Sequence, residues 1–164
     1  MIDTSLLHPM IIHFPIALII VACFSEIVAI LKSDFFRSAA LYLFVLGALG
    51  AIAAYITGSI AGDKIEGITS LKAALERHDD AATLALWVII IVGLFRSFMA
   101  YRRWVEGKLR WLAVGLALIA VLAIARTGYY GGELVFRLGA GVKIELGSQL
   151  PDNRAASYCL AIEK

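Results

Sequence analysis

The sequence has few of the residues that build disulfide scaffolds, metal ribbons and charged surfaces. Its 164 residues include two cysteines, Cys23 and Cys159, and no C-x-x-C or C-x-x-C-H motif. A disulfide-rich scaffold, a zinc ribbon and a c-type haem attachment site are therefore excluded, and we expect two free thiols. Charged residues make up only 17% of the chain, and 15 basic against 13 acidic residues leave a net charge of +2. This balance excludes a nucleic-acid binder held by electrostatic attraction.

Apolar residues are abundant and form four long runs. Hydrophobic residues make up 61% of the chain, and the mean hydropathy is +0.85. The runs cover residues 11–31, 39–61, 81–101 and 109–125, each near the length of about 20 residues that crosses a bilayer. The four runs predict an all-α membrane protein in contact with the lipid bilayer. Because short connections join the runs, we expect a four-helix transmembrane up-down bundle. The first run is too long for a cleaved signal peptide and lacks a basic residue before it.

The sequence divides into a four-span transmembrane domain, residues 1–146, and an irregular tail, residues 147–164. The glycines that follow the fourth run predict the end of its helix, and alternation of apolar and charged residues over 142–146 predicts a short strand or hairpin. In the second connection, Ser70 is expected to cap a short helix that carries His78 and continues into the third span.

Basic residues predict the orientation of the bundle. They crowd the first and third connections, whereas the second connection also carries many carboxylates. Because Lys and Arg are enriched in cytoplasmic loops, both termini are expected on the outer side of the membrane.

The three histidines, His8, His13 and His78, all fall near the outer ends of the first and third spans. These spans run in the same direction, so His13 and His78 can face each other across the bundle core as axial ligands of one haem iron. His8 and His13 differ by about 140° around a regular helix, and we assign His13 to the core. His8 then remains as a supporting or alternative ligand. Two alternatives stay open: interfacial histidines without a ligand, and a copper or zinc site built from the same imidazoles.

A stripe of small residues on the second span provides room for a flat macrocycle. Gly50, Ala54, Gly58 and Gly62 recur every four residues, although this pattern is also typical of ordinary helix packing in membranes. Arg126 ends the fourth span at the outer level, where its guanidinium can pair with haem propionates or simply extend to the interface.

Glu26 lies inside the first span, where a charge is costly unless it is paired or hydrated. Arg96 occupies the corresponding depth on the third span, so an ion pair between the two is the simplest expectation. A proton-relay or quinone-site role for Glu26 is the alternative.

The stretch LHPMIIHFPIAL, residues 7–18, resembles the opening motif H-P-x-x-x-H-F-P-I-A of a bacterial membrane family known as domain of unknown function 2231. A histidine before the third span and the glycine-rich segment GGELVFRLGAGV, residues 131–142, are similar as well. The resemblance implies a four-span protein of the bacterial cytoplasmic membrane, with relatives joined to cytochrome c or Rieske-type domains. Relatives often carry a histidine in the last motif, where this chain has Leu138, so the resemblance gives no second haem site here.

Together these features predict a small b-type cytochrome subunit with one haem b, within a respiratory or photosynthetic complex. It would carry electrons between a quinol or a membrane subunit and an outer-side cytochrome c or Rieske-type protein. No nucleophile, Walker loop or dinucleotide fingerprint is present, so an electron-transfer subunit is favoured over a stand-alone enzyme. The alternative is an accessory subunit of a membrane complex that binds no cofactor.

Overall fold

A computed structural model describes residues 7–31, 34–103 and 107–140 of the chain, and this part is almost entirely helical. Helix α1 (Leu7–Val28) continues as a 3-10 turn, Ala29–Leu31, and is followed by α2 (Asp34–Asp63), α3 (Thr69–Arg102) and α4 (Lys108–Gly132). A π-helical turn, Glu133–Arg137, extends α4. The described residues contain no strand, and all four helices are long and apolar enough to cross a membrane. The prediction of a four-helix membrane bundle is confirmed.

The helices extend beyond the apolar runs that predicted them, most clearly at the start of α3. This helix begins at Thr69, after the cap residue Ile68, which makes no side-chain capping hydrogen bond. The expected cap at Ser70 is therefore wrong, and the short helix expected in the second connection is the first part of α3 itself. Hydropathy marks the segment that lies in hydrocarbon, whereas backbone hydrogen bonds continue a helix into the polar region beyond it.

The glycines near the end of α4 do not break the helix, in contrast to the prediction from sequence. The chain stays helical through Gly131 and Gly132 and then widens into the π-helical turn. The turn ends at Arg137, the cap residue Leu138 donates a backbone hydrogen bond to the carbonyl of Glu133 at 3.3 Å, and Gly139 follows with a φ of +67°. Where water is scarce, intrahelical hydrogen bonds outweigh the low helix propensity of glycine. The strand expected over 142–146 lies outside the described residues.

Each helix packs against two neighbours, which fixes the order around the bundle. Helix α1 contacts α2 and α4, and α3 contacts the same two helices, so α1 and α3 lie diagonally opposite. Between them is a core of mixed aliphatic, alanine and aromatic side chains: Ile19, Ala22, Cys23, Phe44, Ile89, Val92, Ala117, Ala120 and Ile124. The outward faces carry large exposed apolar residues such as Phe24, Trp87 and Leu122. A lipid environment accounts for this exposed apolar surface.

The two ends of the bundle differ in the polar residues they carry. The end with the starts of α1 and α3 holds His8 and His78, and is called the histidine end below. The opposite end holds Arg37, Arg96 and Arg110 and is called the arginine end.

Candidate functional site

His8 lies near the start of α1 and turns towards α2. Its side chain is half-buried, and Nδ1 donates a hydrogen bond to the backbone carbonyl of Ala54 at 2.9 Å. The ring rests on Gly58, where an added Cβ would come within 2.9 Å of His8 Cε1. A side chain at this position would displace the ring, because real Cβ atoms essentially never come so close to another atom.

His78 repeats this arrangement on α3 and α4. Its Nδ1 donates to the backbone carbonyl of Thr127 at 3.3 Å, and a Cβ on Gly131 would lie 3.1 Å from His78 Cε1. In both cases a carbonyl on the following helix accepts the hydrogen bond, and a glycine four residues later makes room for the ring. The α1–α2 and α3–α4 hairpins thus carry the same histidine, carbonyl and glycine arrangement.

These hydrogen bonds determine the tautomer of each imidazole. A carbonyl oxygen only accepts, so Nδ1 of both His8 and His78 must carry the proton. The lone pair of a neutral ring then lies on Nε2, which is the state of a metal-ligating histidine held by an outer-shell carbonyl. The structure therefore places His8 and His78 at the same end of the bundle, each with the lone pair on Nε2.

His13 does not belong to this group. Its side chain is exposed, and its Nδ1 donates to the carbonyl of Pro9 in its own helix at 2.6 Å. The assignment of His13, and not His8, to the bundle core is therefore wrong. The face of α1 that packs inward contains Pro15, Ile19 and Glu26, and His13 is rotated away from it.

Gly50 and Arg126, which were also predicted for this site, contact other residues and not the histidines. Gly50 lies against α1, where an added Cβ would be 3.2 Å from Phe14 Cδ1 and 3.4 Å from Pro15 Cβ. This contact corresponds to the helix-packing interpretation of the small-residue stripe. Arg126 is exposed, and its guanidinium stacks over the Tyr130 ring, 5.6 Å from the ring centroid.

Glu26 and Arg96 meet at the arginine end and join α1 to α3 across the bundle. Arg96 Nε lies 2.8 Å from Glu26 Oε2, and both side chains are 2% exposed. Arg96 Nη2 also donates to the backbone carbonyl of Arg37 at 3.2 Å, and Arg110 donates to the carbonyl of Ile30. The ion pair is thus part of a larger polar cluster with residues from all four helices.

The chain was compared with protein families, curated proteins and solved structures. The family described as "Predicted membrane protein (DUF2231)" matches residues 5–144. The chain belongs to the DUF2231 family. The comparisons with curated proteins and with solved structures found no match.

The structure explains the positions of two residues in the opening motif of this DUF2231 protein, His8 and Pro15. His8, its first residue, faces α2, and Pro15 near its end is buried against Gly50, while α1 continues through the proline. The proline at this position costs a backbone hydrogen bond but provides a compact surface for close approach of α2.

Sequence reasoning on this DUF2231 protein missed the contributions of Thr127 and Gly131. The spacing of Thr127 and Gly131 equals that of Ala54 and Gly58, but every glycine has a residue four positions before it, so the spacing alone is no signal. The glycines of α4 were in addition interpreted as helix breakers.

Proposed function

We propose that this membrane protein is a b-type cytochrome subunit that holds one haem b between His8 and His78 and transfers electrons at the histidine end of the bundle. The observation that carries the proposal is the matched pair of imidazoles, each with Nδ1 bonded to a backbone carbonyl at 2.9 or 3.3 Å. Two imidazoles from diagonal helices, both with the lone pair on Nε2, are a donor set that would suit the iron of a haem b.

The protein residues would hold and orient the group. Haem b with two imidazole ligands supplies a one-electron iron couple. The carbonyls of Ala54 and Thr127 keep each ring in one tautomer and one orientation, and they raise the basicity of Nε2. Gly58 and Gly131 let the rings lie close to the backbones of α2 and α4. Arg126 is at the same end, and moving its exposed side chain off Tyr130 would allow it to pair with a propionate.

The proposed orientation places the histidine end on the outer side of a bacterial cytoplasmic membrane. The support is the basic character of the other end, where Arg37, Arg96, Arg102, Arg103 and Arg110 are found. Electrons would then pass between a quinol or a membrane redox subunit and an outer-side protein of the cytochrome c or Rieske type.

The proposal is tested by visible spectroscopy of the full-length protein, purified in mild detergent from haem-sufficient cells. We expect a Soret band, with about one haem per chain in the pyridine haemochrome assay. His8→Ala and His78→Ala should each abolish the band, whereas His13→Ala, the matched control on the exposed side of α1, should retain it. A colourless wild type, or a His8→Ala protein with full haem content, would contradict the proposal.

A second candidate function is a cofactor-free accessory subunit of a larger membrane complex. It is favoured by the small-residue stripe of α2, because Gly47 and Gly50 are already in close contact with Ile19, Phe14 and Pro15. Such a subunit would co-purify colourless with stoichiometric partners. A cytochrome would keep its iron after those partners are removed.

A further inference from the structure

A pocket lined by both polar and apolar residues opens at the arginine end, between the start of α2 and the end of α3. Its volume is about 580 Å³, within the usual range for small-molecule sites. Arg37, Ser38, Arg96 and Arg103 supply its basic and hydroxyl groups, and Asp34 is the carboxylate that lines it. Three guanidinium groups from two helices therefore converge on one pocket.

Arg96 contributes a buried donor that has no partner. Its Nε contacts Glu26, and its Nη2 donates to the carbonyl of Arg37, but Nη1 makes no hydrogen bond among the residues that the structure describes. Nε of Arg37 is likewise buried and makes no hydrogen bond within the described ranges. A buried guanidinium N–H is costly to leave unpaired, so these donors indicate an acceptor that the described residues do not provide.

The charges around the pocket also favour an anion. Among the described residues, Glu26 compensates Arg96, and Asp34 lies 3.2 Å from Arg37. The Asp34 side chain is 93% exposed, so solvent weakens its effect on the pocket. No further carboxylate lines the pocket in the described part of the chain, and Arg103 adds a third positive charge.

We propose that this pocket binds a phosphate-type oxyanion. Nη1 of Arg96 and the guanidinium of Arg37 are the inner donors, Ser38 offers a hydroxyl, and Arg103 closes the rim. Arginine suits such a ligand because its planar fork donates two parallel hydrogen bonds to phosphate oxygens. The phosphodiester of an anionic lipid headgroup and free inorganic phosphate share this chemistry, and the end of a membrane bundle is accessible to both.

Two probes applied to the purified full-length protein separate these sources. Inorganic phosphate is titrated by isothermal calorimetry in detergent. Lipid retention is measured by native mass spectrometry after reconstitution into nanodiscs of phosphatidylcholine with or without phosphatidylglycerol. Saturable phosphate binding would identify a free anion as the ligand of the pocket. Selective retention of one phosphatidylglycerol would identify a lipid headgroup as the ligand. Binding of neither probe by the wild type overturns the proposal.

Substitutions of one inner and one rim arginine test the residues. Arg103→Gln and Arg37→Gln should each weaken binding about tenfold, as expected for the loss of a charge-assisted hydrogen bond. Lys108→Gln is the matched control, because Lys108 is an exposed base at the same end that does not line the pocket. Binding weakened equally by Lys108→Gln would overturn the proposal, since general surface charge would then explain it. Arg103 is exposed, so its variant remains a valid test even if Arg37→Gln does not fold.

Discussion

Replacing Glu26 by glutamine removes the carboxylate that contacts Arg96 and leaves a guanidinium in the interior. Both side chains are 2% exposed and their charged atoms are 2.8 Å apart. Breaking a buried pair from one side typically costs about 3–5 kcal/mol. We expect Glu26→Gln to lower the free energy of unfolding by about this amount, because Arg96 cannot lose its proton to escape burial.

Arg96→Gln should cost less, about 2–3 kcal/mol. The carboxyl of Glu26 can accept a proton, and the charges of Arg37 and Arg110 still act on it. The double variant Glu26→Gln/Arg96→Gln retains two neutral polar groups of similar size. It should therefore be more stable than Glu26→Gln alone, which requires the coupling in the double-mutant cycle to exceed the cost of about 2–3 kcal/mol for Arg96→Gln.

The assay is equilibrium unfolding of the four proteins in mixed micelles of mild detergent and SDS, followed by circular dichroism. Arg77→Gln is a control, because Arg77 lies 3.9 Å from Glu133 and is 55% exposed, so its loss should cost no more than about 1 kcal/mol. Additive effects of the two single substitutions would refute the reasoning. They would show that Glu26 and Arg96 do not depend on each other for stability.

Three further predictions concern packing and access. Gly47→Ala should lower the free energy of unfolding by about 1–2 kcal/mol, since an added Cβ would lie 2.6 Å from the buried Ile19. The control Gly115→Ala should be neutral or stabilising in the same unfolding assay, because its Cβ would meet nothing within 4 Å. Gly131→Ala should reduce haem content more than Gly128→Ala, measured by pyridine haemochrome, because only the former crowds the His78 ring; equal haem content would contradict this. In a protein whose other cysteine is replaced by serine, the buried Cys23 should react with a water-soluble maleimide only after denaturation in SDS.

Hydropathy was sufficient to predict the number and type of helices, because hydrocarbon demands long apolar segments with satisfied backbones. It did not predict where the helices end, as the start of α3 and the π-helical turn after α4 show. Those ends depend on backbone hydrogen bonds beyond the apolar region, to which hydropathy is insensitive.

The choice between His8 and His13 depended on how α1 is rotated about its axis. Glu26, which must face inward, provides the reference: it follows His8 by about five full turns, whereas His13 is about 140° away from that face. The rotation was therefore present in the sequence, but only the buried charge revealed it. The contacts of His8 with Ala54 and Gly58 could not be predicted, since they depend on the relative height of α1 and α2.

On the long helix α3, a histidine and a charged residue are separated by the same interval as His8 and Glu26 on α1. Arg96 follows His78 by about five turns, so on both diagonal helices an imidazole and a charged group share one face about 27 Å apart. We expect the salt bridge at one extremity to restrain how far α1 can slide or rotate relative to α3 at the other. Breaking this salt bridge should change the spacing of the two imidazoles, although the substitution contacts neither ring. The geometry of the histidine end would then depend on a contact at the opposite end of the bundle.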